Sequence, residues 1–118
     1  MTSQSVLVVE DSFLIAASLE EALLQAGHQV MLAGSVAEAE AAMADTDFLA
    51  ALLDYMLPDG DSLGLAQQLH AVGCKVAMVS GADRDVVPSD PAISALFAKP
   101  MDDRVLVDWV DSIAGQYH

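Results

Sequence analysis

The sequence has very little cysteine, few basic residues and no long apolar run. Its single cysteine, Cys74, cannot form an internal disulfide or a cysteine-rich metal site. No stretch approaches the roughly 20 apolar residues that cross a bilayer, and the first residues lack a basic segment followed by an apolar one. We therefore expect a chain that is neither exported nor membrane-spanning, with the cytoplasm as its location.

Positive charge is scarce as well. The chain has 4 Lys and Arg residues against 18 Asp and Glu residues, which gives a formal net charge of -14. Such a chain repels the phosphates of nucleic acids and the headgroups of anionic lipids. The charge therefore predicts no nucleic-acid or membrane partner, and any partner is expected to be a protein.

What the sequence does have is apolar content, arranged in short runs. Its length of 118 residues fits one domain, and 54% hydrophobic residues suffice for a core. Apolar runs of strand length alternate with segments of helical period, which predicts a five-stranded parallel sheet with helices on both faces, a doubly wound (βα)5 fold. The predicted strands are 6–9, 30–33, 49–53, 76–79 and 95–98.

Capping signals divide these strands from the predicted helices. Ser12, Ser62 and a Ser35–Glu38 capping box can begin three helices, and an amphipathic segment over 105–113 predicts the last one. Residues 81–91 are polar and contain Pro88 and Pro91, which oppose a regular helix. We therefore expect a reduced or irregular fourth helix in the fold.

Polar side chains stand where four of the predicted strands end. The first strand ends in Glu10 and Asp11, the third in Asp54, the fourth in Ser80 and the fifth in Lys99. In an open parallel sheet the ligand site lies beyond the carboxyl ends of the strands, so these side chains should converge.

The convergence of these groups suggests a chemistry. Three carboxylates at one edge repel each other and raise at least one pKa unless a cation neutralises them, and oxygen ligands of this kind suit Mg²⁺. Next to such a metal, Asp54 can accept a phosphoryl group. Lys99 and Ser80 can then neutralise or hydrogen-bond the phosphoryl oxygens.

Four segments resemble a known family, in order and across essentially the whole chain. VVEDS, LLDYMLPDG, VSG and AKP are similar to the motifs of the response-regulator receiver domain (CheY-like), of the single-domain type. The resemblance implies the flavodoxin-like strand order 2-1-3-4-5. It also implies a two-component or phosphorelay phosphoprotein, phosphorylated on Asp54 with Mg²⁺ by a histidine kinase or phosphotransfer protein.

The same resemblance assigns roles to the other motif residues. Asp11 would bind the metal directly, Glu10 largely through water, and Met56 through its backbone carbonyl. Ser80 and Lys99 would contact the phosphoryl group. Such a domain is a phospho-acceptor that assists its own phosphotransfer and autodephosphorylation, and is not an enzyme in the ordinary sense.

Several readings stay open at this point. With residues 1–118 forming one receiver domain, a monomer or weak dimer, the output must pass through an unidentified downstream protein, as an effector, a relay intermediate or a phosphate sink. An aspartyl-phosphate phosphatase of the haloacid-dehalogenase type is one alternative, although Met56 occupies the place of its second aspartate. A phosphorylation-independent interaction module of the same fold is another.

The sequence departs from the family pattern in two places. Leu96 stands where receivers carry Tyr or Phe, and Phe97 should point to the opposite side of its strand. The interval between Ser80 and Lys99 is also short. Both departures look similar to a branch of single-domain receivers found with atypical histidine kinases, and they suggest a switch in which Ser80 orders residues 81–91.

Overall fold

Strands and helices alternate along the chain, as the apolar runs predicted. The computed structural model describes residues 5–81 and 86–116. Within them lie the strands β1 (Ser5–Val9), β2 (Gln29–Ala33), β3 (Ala50–Asp54), β4 (Met56–Leu57), β5 (Gly60–Asp61), β6 (Lys75–Gly81) and β7 (Ala95–Lys99). The helices in the same residues are α1 (Phe13–Gln25), α2 (Val36–Asp45), α3 (Leu63–Ala71) and α4 (Asp103–Gly115).

Five of these strands form one parallel sheet in the order β2-β1-β3-β6-β7. The two-residue strands β4 and β5 pair with each other in a separate antiparallel hairpin that the sequence did not predict. Without this hairpin, the order is the predicted 2-1-3-4-5, so the fold class is confirmed. All five residues of the central strand β3 are buried, which accounts for its unbroken apolar run up to Asp54.

The core consists of two apolar layers, one on each face of the sheet. On one face, alternate strand residues such as Leu7 and Leu53 pack with Leu65 and Leu69 of α3 and Ala39 of α2. On the other face, the intervening strand residues pack with α1 and α4; they include Val6, Val8 and Leu52, with Leu23 from α1 and Val110 from α4. Successive side chains of each strand thus point alternately into the two layers, as a sheet covered on both faces requires.

The connection between β6 and β7 agrees with the predicted reduced fourth helix in its described part. Residues 86–94 contain no helix, and the predicted irregular segment also includes residues 82–85, which lie outside the described residues. Asp90 accepts hydrogen bonds from the amides of Ala92 and Ile93, and the Ser94 amide donates to the carbonyl of Val76. Ala92 is buried against the layer of α2 and α3, so the described part of this connection, residues 86–94, covers the sheet without a regular helix.

Three predicted caps differ in detail from the structure. Ser12 directly precedes α1, but its side chain makes no capping hydrogen bond. Ser35 caps α2, since its hydroxyl accepts from the Glu38 amide, but the Glu38 carboxylate accepts from the amide of Gly34 and not from that of Ser35. Ser62 precedes α3 without capping it, because its hydroxyl bonds elsewhere and the Asp61 carboxylate accepts from the Leu63 amide. The helix starts were therefore predicted correctly and their side-chain partners were not.

Cys74 lies where burial was expected. It is 1% exposed between α3 and β6, and this burial raises the pKa of its thiol to about 12. A thiol held protonated in this way is a poor nucleophile, which fits a packing role.

Of the helices described, none is both long and apolar enough to cross a bilayer.

Candidate functional site at the carboxyl edge of the sheet

Three strands of the sheet, the neighbours β1 and β3 and the edge strand β7, bring polar residues at their carboxyl ends to one edge. Glu10 directly follows β1, Asp54 ends β3, and Lys99 ends β7. The parallel register places Val9 beside Leu53, Asp54 beside Val79, and Gly81 beside Lys99, so the carboxyl ends are level. The predicted convergence of these strand ends is therefore confirmed.

The carboxylates of Glu10, Asp11 and Asp54 form a cluster. Each offers an oxygen that lies within 4.8 Å of the others. Glu10 and Asp54 are each 9% exposed, whereas Asp11 is open to solvent. A set of hard oxygen donors with one open side fits Mg²⁺, which keeps part of its water shell when it binds to proteins.

Lys99 provides the positive charge of the site. Its Nζ lies 2.9 Å from Oδ1 of Asp54 and 3.3 Å from Oε2 of Glu10. The lysine side chain is about one-third exposed, and both carboxylates are largely buried. One ammonium thus bridges the two buried acids and offsets part of their mutual repulsion.

The crowding of these charges changes two pKa values. Burial, together with the hydrogen bond and charge of Asp54, raises the pKa of the Glu10 carboxyl from 4.5 to about 7, although Lys99 opposes the change. Burial acts to lower the pKa of Lys99, but the hydrogen bonds and charges of Asp54 and Glu10 outweigh it and raise that pKa. The expectation that one clustered acid would have a raised pKa holds in direction for Glu10, but burial, and not charge repulsion, is the largest cause.

Ser80 and Met56 flank this cluster. Ser80 is 7% exposed near the end of β6, beside Ala98 of the neighbouring strand. Met56 lies in β4, two residues after Asp54, and its side chain is half exposed. Both residues therefore stand at the predicted edge, while the roles assigned to the Ser80 hydroxyl and the Met56 carbonyl stay predictions.

Sequence reasoning missed a contact directly behind Asp54. The Ser62 hydroxyl donates to the backbone carbonyl of Asp54 over 2.7 Å, and Ser62 is completely buried. The only signal in the sequence was a serine at a helix start, which more commonly indicates a cap.

Comparison with known proteins decides the family of this site. The sequence model of the response regulator receiver domain matches residues 6–111. The chain belongs to this family. Among curated protein sequences, no significant match was found.

Solved structures of receiver domains resemble this one over nearly their whole length. A CheY-like receiver domain from Methylobacillus flagellatus is 30% identical, with a TM-score of 0.82, over 95% of this chain and 99% of that one. One from Methanospirillum hungatei JF-1 is 25% identical, with a TM-score of 0.78, over 98% of this chain and 99% of that one. A two-component response regulator from Clostridium difficile, 17% identical with a TM-score of 0.82 over 99% of each chain, shares the fold.

Family membership indicates what an acidic cluster at this position does in receiver domains generally. Receiver domains are phospho-accepting signalling domains that bind Mg²⁺ at an acidic pocket and interact with histidine kinases or phosphotransfer proteins. The cluster of this receiver has the charge and position that such a pocket needs. Membership also argues against the haloacid-dehalogenase alternative.

The side chains of β7 confirm one predicted departure from the family pattern. Leu96 is 56% exposed, and Phe97 packs on the opposite face against the layer of α1 and α4. Phe97 therefore cannot take the place of an aromatic residue at Leu96, because its side chain packs against the core on the opposite face.

Proposed function

We propose that this receiver accepts a phosphoryl group on Asp54 from a histidine of a sensor kinase or phosphotransfer protein. The observation that carries the proposal is the contact between the Asp54 carboxylate and the Lys99 ammonium, 2.9 Å apart, beside Glu10 and Asp11. A carboxylate at a strand end, held next to a cation in a mostly buried site, is placed to react with an incoming electrophile.

In the proposed reaction an Asp54 carboxylate oxygen attacks the phosphorus of the donor's phosphohistidine. The new bond joins this oxygen to phosphorus, the bond between phosphorus and the histidine nitrogen breaks, and the imidazole leaves with the electron pair. The product is an acyl phosphate on Asp54. Lys99 is already beside the reacting oxygen, where its charge stabilises the negative charge on the phosphoryl group, and Ser80 donates a hydrogen bond to another phosphoryl oxygen.

Mg²⁺ fits the same site, with Asp11 and Asp54 as direct ligands, the Met56 carbonyl as a further ligand, and Glu10 acting largely through water. When bound, the ion offsets the repulsion between the carboxylates and the phosphoryl oxygens. Bound Mg²⁺ would favour the charged form of Glu10, whose pKa is raised in the absence of the ion, so metal binding would be linked to release of a proton. Later hydrolysis of the acyl phosphate by water returns the domain to its starting state.

The surface beside Asp54 supports a protein as the phosphoryl donor. Phe13 and Leu14 of α1 are adjacent apolar residues that are 77% and 80% exposed, and contiguous exposed apolar surface is typical of interaction sites. Leu14 lines a cavity of about 410 Å³, and Lys99, Pro100 and Met101 also line it. Because Lys99 reaches both the cavity and Asp54, a donor seated on this surface has its histidine close to the acceptor.

The proposal also covers the cellular location of the receiver, its output and its branch of the family. We place the receiver, as one domain over residues 1–118, in the cytoplasm, with its signal passed to a downstream protein by a monomer or weak dimer. It would belong to the branch of single-domain receivers that lack the aromatic switch residue, because a leucine, Leu96, stands at that position and is solvent-exposed.

Intact mass spectrometry tests the proposed function. Wild type and the variants Asp54→Asn and Asp61→Asn are incubated with a small phosphodonor and Mg²⁺. Asp61 is a matched control because it lies on the same loop, is exposed and can still cap α3 as asparagine. We expect one added phosphoryl group on wild type and Asp61→Asn and none on Asp54→Asn.

Chelation of Mg²⁺ should abolish the gain in mass. A wild-type mass that stays unchanged with several donors and with a cognate kinase would contradict the proposal. It would favour the phosphorylation-independent interaction module instead.

A further inference from the structure

The loop that follows Asp54 is fixed at its foot by one residue. Ser62 donates its hydroxyl to the carbonyl of Asp54 over 2.7 Å and its amide to the carbonyl of Tyr55 over 2.9 Å. The Met78 sulfur is 3.2 Å from the same hydroxyl, but the single hydroxyl hydrogen has the shorter path to Asp54. Two consecutive carbonyls of the acceptor segment are thus held by one buried side chain and its own backbone.

The tip of the same loop is fixed to a different element. Asp59 is exposed, and its two carboxylate oxygens accept hydrogen bonds from the amides of Val36 and Ala37, each 3.0 Å long. These amides open α2 and have no partner within the helix. The bonds hold the pKa of the Asp59 carboxyl below its usual range, so the bridge carries a full negative charge near neutral pH.

Between foot and tip, the loop has little freedom. The Tyr55 amide donates to the carbonyl of Val79, Met56 and Leu57 pair with β5, and the Leu57 side chain is buried in the core. Gly60 completes the hairpin with a φ of 132°, a conformation that side chains rarely adopt. The backbone of Met56 therefore lies in a segment whose two ends are anchored to β6, α2 and the start of α3.

We propose that Ser62 and Asp59 are positioning residues, which hold the segment from Asp54 to Met56 in the geometry that binds the metal ion. Ser62 acts on the Asp54 backbone from behind, and Asp59 ties the loop to α2. Neither side chain touches the phosphoryl group in this account. The inference rests on the proposed function, because it assigns the Met56 carbonyl and the Asp54 carboxylate to the metal.

Titration with Mg²⁺ alone tests this assignment. The dissociation constant is measured by calorimetry for wild type, Ser62→Ala and Asp59→Ala, together with the free energy of unfolding in urea. Loss of a group that orients a metal ligand commonly weakens metal binding by 10-fold or more, and we expect about 10-fold for each variant. Amide exchange at Val36 and Ala37 should also become faster in Asp59→Ala.

Two control variants separate positioning from stability. Ser35→Ala removes the other cap of α2 without touching the loop, and Ser112→Ala removes a hydroxyl bonded to the backbone carbonyl of Trp109 in α4. Both controls should lose some stability and bind Mg²⁺ as wild type does. Asp59 is at the surface, so Asp59→Ala keeps the test decisive even if Ser62→Ala fails to fold.

The outcomes distinguish the two proposals. Unchanged Mg²⁺ affinity in both variants, with wild type still phosphorylated, would overturn the positioning role alone, and an unchanged value in Asp59→Ala alone would overturn the role of the tip. If Mg²⁺ binding is weakened equally in the two controls, Ser62 and Asp59 contribute to stability only and do not position the metal ligands. A wild type that neither binds Mg²⁺ nor gains mass with a phosphodonor would overturn the proposed function and this inference together.

Discussion

Glu10 is the residue of the site whose charged form the surroundings disfavour. Its carboxyl group is nearly buried, shares the site with Asp54, and is reached by Lys99 from the other side. Burial and the neighbouring acid favour the protonated form more than the lysine favours the charged form, so its pKa rises to about 7. Without a metal ion, folding therefore keeps a proton on an acid that an unfolded chain would release.

This proton predicts a specific pH dependence of stability. From about pH 4.5 to about pH 7 the folded state binds more protons at Glu10 than the unfolded state does, so the stabilisation present below pH 4.5 is lost as the pH rises. In metal-free buffer, the free energy of unfolding of wild type should therefore fall relative to Glu10→Gln across this range. Urea denaturation at several pH values measures the difference.

Glu21→Gln is the control for this experiment, because Glu21 is exposed on α1. The difference between wild type and Glu21→Gln should stay nearly constant with pH. A similarly flat difference for Glu10→Gln would mean that the Glu10 carboxyl titrates normally.

At the scale of elements, the β6–β7 connection is the main departure from the expected alternation of strands and helices. Its second part is anchored, since Asp90 accepts from the Gln67 side chain of α3 and from the amide of Ala92, and Ser94 bonds to β6. Ser80 is the next-to-last residue of β6, which leads into this connection.

We expect phosphorylation to order this connection, residues 81–91, through Ser80. On binding of a phosphoryl mimic with Mg²⁺, NMR order parameters should rise within residues 81–91. Ser80→Ala should bind the mimic without this change, because it lacks the hydroxyl that we propose contacts the phosphoryl group. Unchanged order parameters over 81–91 in wild type would rule out an order–disorder switch.

The sequence predicted elements well and side-chain partners poorly, for a physical reason. Apolar periodicity and glycine stops such as Gly27 are local signals, and they placed the strands and helices within a few residues. The bonds of Ser62 and Asp59 depend on how distant segments meet in space. Asp59 and Val36 are 23 residues apart, and no local pattern distinguishes a carboxylate that caps a remote helix from one that faces water.

The edge residues of the site were predictable because topology orders them. All strands of a parallel sheet end at the same side, so an acid, a hydroxyl and a lysine at successive strand ends must meet. What topology does not give is the pairing of Lys99 with both Glu10 and Asp54, which depends on distances between side chains.

At the scale of the whole molecule, stability comes from two apolar layers that must offset strong charge repulsion. The net charge is -14, and the Cα radius of gyration is 12.8 Å, close to the value of about 13.5 Å for a compact chain of this length. Such a concentration of like charge opposes the folded state. The layers on the two faces of the sheet, rather than surface ion pairs, must therefore supply the stability.

Two adjacent leucines of α1 test this account. Leu23 is fully buried in the layer of α1 and α4, whereas Leu24 is 53% exposed. We expect Leu23→Ala to lower the free energy of unfolding by about 2–5 kcal/mol, through lost burial and a residual cavity. Leu24→Ala should change it by no more than about 0.5 kcal/mol, as for other surface substitutions.

Urea denaturation of the two variants at one pH and salt concentration makes the comparison. Similar losses for Leu23→Ala and Leu24→Ala would contradict the assignment of the core face of α1.

The central claim is that Asp54 carries the phosphoryl group, and chemical trapping tests it most directly. After incubation with a phosphodonor and Mg²⁺, borohydride reduces an aspartyl phosphate to homoserine, with loss of phosphate, and peptide mass spectrometry locates the changed residue. We predict homoserine at position 54 and at no other aspartate. Homoserine at Asp11, Asp59 or Asp61, or no homoserine in a protein that has gained phosphoryl mass, would contradict the account.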